Sequence, residues 1–142
     1  MDLKEWTTHF VKNKDIFHKK IQEIKDHKSH IEVIQKDKKI YYYYLQEDLS
    51  LTELTSPLEE SNKNENKHLT IVCLNKRSNL NILLQHWKKI SEFQRCSIIF
   101  VNVDSLTERK WIIRPHIHAK IADPDCLKTG IEAMFNGVQE VL

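Results

Sequence analysis

Glycine and proline are scarce in this chain, two and three residues out of 142. That scarcity argues against collagenous or low-complexity character and against glycine-rich phosphate loops. No G-x-G-x-x-G, Walker A or G-x-S-x-G pattern occurs, so nucleotide-loop enzymes and the usual esterase elbow lose support. The three cysteines, Cys73, Cys96 and Cys126, are odd in number and far apart, which suits a reducing compartment better than a disulfide scaffold. No stretch of about 18 apolar residues is present, and MDLKEWTTHFVKNK contains no apolar signal core. A cytoplasmic protein without a membrane segment is the expectation. A strong excess of one charge is also missing: the net charge is +2. Any polyanion binding must therefore come from local clustering of basic side chains.

What is present fits one α/β domain spanning residues 1–142, with 40% hydrophobic and 30% charged residues. Trp6, Phe10, Phe17, Ile21 and Ile24 form a stripe that predicts a helix from about residue 3 to 27. His30 to Gln35 and Lys39 to Gln46 predict two strands joined by a turn at Lys36-Asp37-Lys38. The run Tyr41 to Tyr44 places two rings on each face. Residues 49–67 are largely polar in their second half and predict a long, mobile linker, with a short turn of helix near Leu51.

His68 to Leu74 predicts a buried strand. A helix capped by Ser78 and striped by Leu80, Leu83, Leu84, Trp87 and Ile90 follows, and Cys96 to Val103 predicts a second buried strand. This is the pattern of a parallel βαβ unit. Asp123-Pro124 opens a last helix that buries Leu127, Ile131, Met134, Phe135 and Val138 and ends near Gly137. The expected order is α-β-β-(linker)-β-α-β-β-α: a single mixed β-sheet with flanking helices.

The segment WIIRPHIHAKI, Trp111 to Ile121, carries the main functional expectation. As an extended strand it alternates, with apolar side chains on one face and Arg114, His116, His118 and Lys120 on the other, about 6.7 Å apart. Such a row is a candidate anion-binding surface. Charges that blunt an edge strand are its structural counterpart. Lys76 and Arg77, at the start of a helix whose N–H groups favour anions, form a possible second patch. His116 and His118 with Asp104 or Asp123 could ligate a metal, but Arg114 and Lys120 would oppose the cation, and no metal or cofactor is assigned. The tyrosine run beside Lys36, Lys38 and Lys39 could stack bases, although such rings more often serve packing. The lysines of the first helix alternate with acids and predict a solvated face. Cys73, flanked by Val72 and Leu74, is a poor nucleophile. No catalytic residue is assigned.

An early helix, a three-strand meander, a crossover helix and a fourth strand, over residues 3 to 103, resemble the core of restriction-endonuclease-like nucleases. The resemblance implies an aspartate on the second core strand and an acid-x-lysine motif on the third, holding a divalent cation. Here the third strand ends Cys73-Leu74-Asn75-Lys76, with only Lys76 matching. Asp48 is displaced to a strand end, and Glu108-Arg109-Lys110 is an E-x-K placed in a turn. The resemblance thus implies a member that has lost catalysis. A doubly wound, Rossmann-like half with an added hairpin accounts for residues 68–142 equally well.

The expectation that follows is a non-catalytic module binding nucleic acid or another polyanion. A protein–protein interaction or self-associating scaffold domain and an atypical metal-dependent nuclease are the alternatives.

Overall fold

The computed structural model describes residues 1–142, and its centre is an open six-stranded sheet with helices on both faces. The elements are α1 (Leu3–Lys14), β1 (Ile21–Asp26), β2 (His30–Gln35), β3 (Ile40–Leu45), α2 (Leu51–Asn62) and β4 (Lys67–Leu74). Then come α3 (Arg77–Gln85), α4 (Trp87–Ile90), β5 (Cys96–Val101), β6 (Lys110–Ile113), α5 (Pro115–Ile121), a 3₁₀ turn (Pro124–Cys126) and α6 (Leu127–Asn136). The expected mixed sheet with flanking helices is present. The strands lie side by side in chain order, β1 to β6. The first three form an antiparallel meander, β3-β4 and β4-β5 are parallel, and β6 returns antiparallel.

Four expectations are corrected. The cap expected at Ser78 falls at Lys76, because α3 begins at Arg77 and Ser78 lies inside its first turn, with no side-chain capping bond. The helix predicted from about 3 to 27 stops at Lys14. Asp15 closes it: its carboxylate accepts from the amides of Lys20 (2.8 Å) and Ile21 (3.1 Å), and Lys19 adopts a left-handed φ of 49°. Phe17, part of the stripe, is almost fully exposed. Ile21 and Ile24 are three residues apart, a helical spacing. They share a face because the register of β1 against β2 shifts between Ile21 and Glu23. A bulge inserts one residue and breaks the two-residue period, so a bulged strand imitates a helix in sequence.

The linker expected at 49–67 is the crossover helix α2. Ser50 caps it by accepting from the Glu53 amide, and Leu54, Leu58 and Ser61 are buried at helical spacing. Pro57 inside the helix and the polar run after it hide this stripe. The chain consequently contains two parallel crossovers, through α2 and through α3–α4, where the sequence predicted one.

The ribbon Trp111–Ile121 is also corrected. Only Lys110–Ile113 is strand, and Pro115 starts α5. Proline has a φ suited to the first helical position and lacks the N–H that this position leaves unpaired. The alternation of Arg114, His116, His118 and Lys120 therefore does not make a row on a strand face.

The larger core lies between the sheet and α2, α3 and α6, around Leu58, Ile71, Leu80, Phe100 and Ile131. The smaller lies under α1, around Trp6, Ile31, Val33, Tyr43 and Ile99. The tyrosine run divides as expected, Tyr42 and Tyr44 toward the first core and Tyr41 and Tyr43 toward the second. Buried asparagines tie the end of the sheet where β4 and β5 finish. Asn79 joins Leu49, Glu47 and Leu74; Asn102 holds the carbonyl of Gln139. No helix is long and apolar enough to cross a membrane.

Candidate functional site

Charge is divided between the two ends of the sheet. At the end where β3, β4 and β5 begin, residues 14–20, 36–39, 64–67, 94–95 and Arg114 hold nine Lys/Arg and three Asp/Glu. The opposite end, residues 26–29, 46–50, 75–77, 102–109 and 139–140, holds four and six. A chain of net charge +2 thus carries a locally strong positive field.

Two adjoining clefts lie in this basic end, beneath the C-terminus of α1. One, of about 270 Å³, is walled by Lys14, Tyr41, His68, Thr70, Arg95, Ser97 and Arg114. The other, of about 240 Å³, shares Lys14 and Tyr41 and adds His18, Lys20 and Lys39, together with Asp15 and Asp37. Strand pairing builds the floor: Tyr41 of β3 stands opposite His68 of β4, and their rings stack at 4.6 Å. Lys14 arrives from the last turn of α1, Lys39 from the β2–β3 turn, and Arg114 from the junction of β6 and α5. Lys14, Lys39 and Arg114 are exposed and form no ion pair. Arg95 contributes its charge but has committed donors, to the carbonyls of Lys67, Ser61 and Asn64.

His68 registers this field. Burial, and then the charges of Lys39, Arg95 and Arg114, lower its pKa below the ordinary value of 6.5, with Asp37 acting in the other direction. The unfolded chain therefore binds this proton more readily. Stability from His68 is present above pH 6.5 and is lost as the pH falls through the lowered folded value. Arg114→Ala is expected to move the His68 midpoint upward, toward 6.5, in an NMR titration of the imidazole protons. An unchanged midpoint would mean that the guanidinium does not act on this cleft.

The other residues singled out from sequence go elsewhere. His116 lies on α5 with its Nδ1 2.9 Å from the carbonyl of Ser91, and His118 meets the Trp87 ring edge-on. Lys120 is exposed on the same helix and lines neither cleft. Lys76 pairs with Asp48 at 3.2 Å, and Arg77 with Glu132 at 3.6 Å while lying over the Phe135 ring. The amide of Arg77 donates to a carboxylate oxygen of Glu140 at 3.0 Å, so an acid of this chain already occupies the anion position at the start of α3. Of the six, Arg114 alone enters the basic clefts. Lys14, Lys39 and His68 were missed as a group because they come together only through the strand order. The lysines beside the tyrosine run were their one visible signal.

The thiols are inert where buried. Burial pushes Cys96 up to about 12 and Cys73 well above the ordinary thiol range. Only Cys126 is exposed. A thiol reagent should modify one cysteine per native chain and all three in denaturant. Rapid native labelling of two or more would show that the sheet opens.

Comparison with protein-family models, curated proteins and solved structures finds no match.

Proposed function

We propose that this chain binds single-stranded nucleic acid, or a polyanion of similar charge spacing, through the basic end of its sheet, without cleaving it. The observation that carries the proposal is the pair of clefts in which Lys14, Lys39 and Arg114 stand unpaired around the Tyr41–His68 stack. Unpaired cations beside a shared groove follow a phosphate backbone, while ring faces accept unstacked bases. Phe17, 93% exposed in the connection at the same end, supplies a further ring. No base-reading arrangement accompanies them, so the expected binding is salt-dependent and weak in sequence preference.

A degenerate nuclease-like core is part of the proposal. The order α1, β1-β2-β3 meander, α2 crossover, parallel β4 supports it, one strand earlier in the chain than the sequence placed it. The third core strand is then Ile40–Leu45, which carries neither acid nor lysine, and the second offers Glu32 and no aspartate.

Fluorescence anisotropy with labelled single- and double-stranded DNA and RNA, at two salt concentrations and with or without Mn²⁺, tests the function. Binding that favours single strands and weakens with salt is expected, with the probes left intact. No binding to any probe would overturn it, and cleavage that requires Mn²⁺ would replace it with the metal-dependent nuclease.

One observation favours a second reading, self-association. β6 is an edge strand of four residues with Ile112 partly exposed, and α5 after it exposes Ile117 and Ile121 one turn apart. Mass that rises with protein concentration, without nucleic acid, would support this mode.

A further inference from the structure

The β1–β2 hairpin, at the opposite end of the strands from the basic clefts, gathers three side chains able to ligate a metal. His27, His30 and Glu32 each offer one ligand atom, and the three atoms lie within 4.8 Å of one another. The backbone fixes this arrangement. The His27 amide donates to the His30 carbonyl at 3.0 Å and closes the turn. Glu32 follows His30 by two residues along β2 and so projects on the same face. His27 Nε2 is 3.3 Å from Glu32 Oε1. Lys25 stands opposite Glu32 in the strand register, yet the carboxylate turns to His27 and forms no ion pair with Lys25. Lys4 is held by Asp26 and the His27 carbonyl, and Lys28 of the turn is exposed to solvent.

His30 supplies the second, independent observation. Its Nδ1 is the one buried side-chain nitrogen or oxygen in the molecule without a hydrogen-bond partner. Buried polar atoms are almost always partnered, and an exception calls for a missing proton, water or ion. The His30 ring lies between those of His27 and Tyr44, at 4.4 and 4.7 Å. No residue of β1 or β2 belongs to the core on the α2 side of the sheet, so this face of the hairpin has no apolar cover.

We propose that His27, His30 and Glu32 form a site for one transition-metal ion of the Zn²⁺, Co²⁺ or Ni²⁺ class, with a fourth position open to water or an external ligand. Two imidazoles and one carboxylate suit borderline ions, whereas Mg²⁺ and Ca²⁺ require oxygen donors. Around a tetrahedral ion with bonds of about 2.1 Å, ligand atoms sit about 3.4 Å apart. The His27–Glu32 pair already has that separation. Imidazole lone pairs lie in the ring plane, so two rings inclined by only 18° cannot both point at an ion between them. Binding therefore swings one ring out of the stack, and His27, exposed at the turn while His30 is half-buried, has the freer side chain. The site uses none of the residues of the basic clefts and stands apart from the nucleic-acid proposal.

The test is a titration of metal-free Cys126→Ser protein with Co²⁺, read by visible ligand-field absorption and by the imidazole NMR signals, then with Zn²⁺ in competition. The substitution removes the one exposed thiol. One equivalent of Co²⁺ is expected to bind, and in the diamagnetic Zn²⁺ form the imidazole signals of His27 and His30 alone should shift, with Mg²⁺ unable to displace either ion. His27→Asn and Glu32→Gln, both at the surface of the hairpin, should each weaken binding at least about 100-fold, since outer-sphere partners alone are worth 10–100-fold. Circular dichroism confirms that the variants fold. No binding, or binding that is indifferent to both substitutions, overturns the assignment.

Discussion

Alanine at both Lys39 and Arg114 is expected to weaken single-stranded nucleic-acid binding about 100-fold, because each exposed charge-assisted contact is worth about 1.5 kcal/mol, or tenfold. The salt dependence should also flatten. Each phosphate contact on a single strand contributes about 0.7 to the slope of log K against log salt, so the double variant should lose about 1.4. Both side chains are exposed and unpaired, and the fold does not depend on them. A drop in affinity therefore cannot be credited to unfolding, which a melting curve on the same sample would verify. Lys120→Ala is the matched control, an exposed cation outside the clefts, and should leave affinity within about twofold. An equal loss from Lys120→Ala would indicate diffuse charge attraction in place of a groove.

The largest effect on stability should come from Asn75→Ala. Asn75 is wholly buried at the end of β4. Its Nδ2 donates among the carbonyls of Phe135, Val138 and Gln139, and its Oδ1 accepts from Trp111 Nε1 at 2.8 Å. Alanine would strand the indole N–H and at least one carbonyl in the interior, and each orphaned group costs about 1–3 kcal/mol. A total of about 3–4 kcal/mol corresponds to a fall in Tm of roughly 10 °C for a domain of this size. Asn75→Asp should be no milder, since it keeps the acceptor for Trp111 but turns a carboxylate oxygen toward carbonyl oxygens. Thermal melts followed by tryptophan fluorescence would measure both. A loss below about 1 kcal/mol from alanine would mean that the residues after α6 are held by the packing of Phe135 and Val138 alone.

Much of the centre of this fold is legible in the chain. Within HLTIVCL and CSIIFV, Ile71 to Cys73 and Ile98 to Val101 are buried on both faces and uninterruptedly apolar, and the structure makes these runs the parallel strands β4 and β5. Asp123-Pro124 announces the turn before α6, where the Asp123 side chain accepts from the Asp125 amide. The failures lie where one periodicity imitates another. A bulge gives Ile21 and Ile24 helical spacing, and Pro115 allows a helix to begin inside a perfect alternation. Polar composition concealed the Leu51, Leu54 and Leu58 stripe.

The site was less legible for a different reason. Arg114 was identified from a strand expected to run to Ile121 that ends at Ile113, and it reaches the basic cleft because this shorter β6 delivers it there. Lys14, Lys39 and His68 are separated by 25 and 29 residues and are joined only by the sheet. His27 and His30 were hidden by the extended helix, which left His27 on a helical face and His30 at a strand start.

The side-by-side succession of β1 to β6 has a kinetic consequence. No strand has to insert between two that have already paired, so each can add to the growing edge as its predecessor settles. Loop closure then spans one hairpin or one crossover at a time, and the entropy of closing each loop stays small. Parallel pairs are ordinarily slow to form because their partners lie far apart in the chain. Here the two crossovers are short, and their helices α2 and α3 can form locally and bring β3, β4 and β5 together. The sheet should therefore nucleate around β4 and grow outward in both directions. The β1–β2 hairpin and β6 would then be the last parts to fasten and the first to fray.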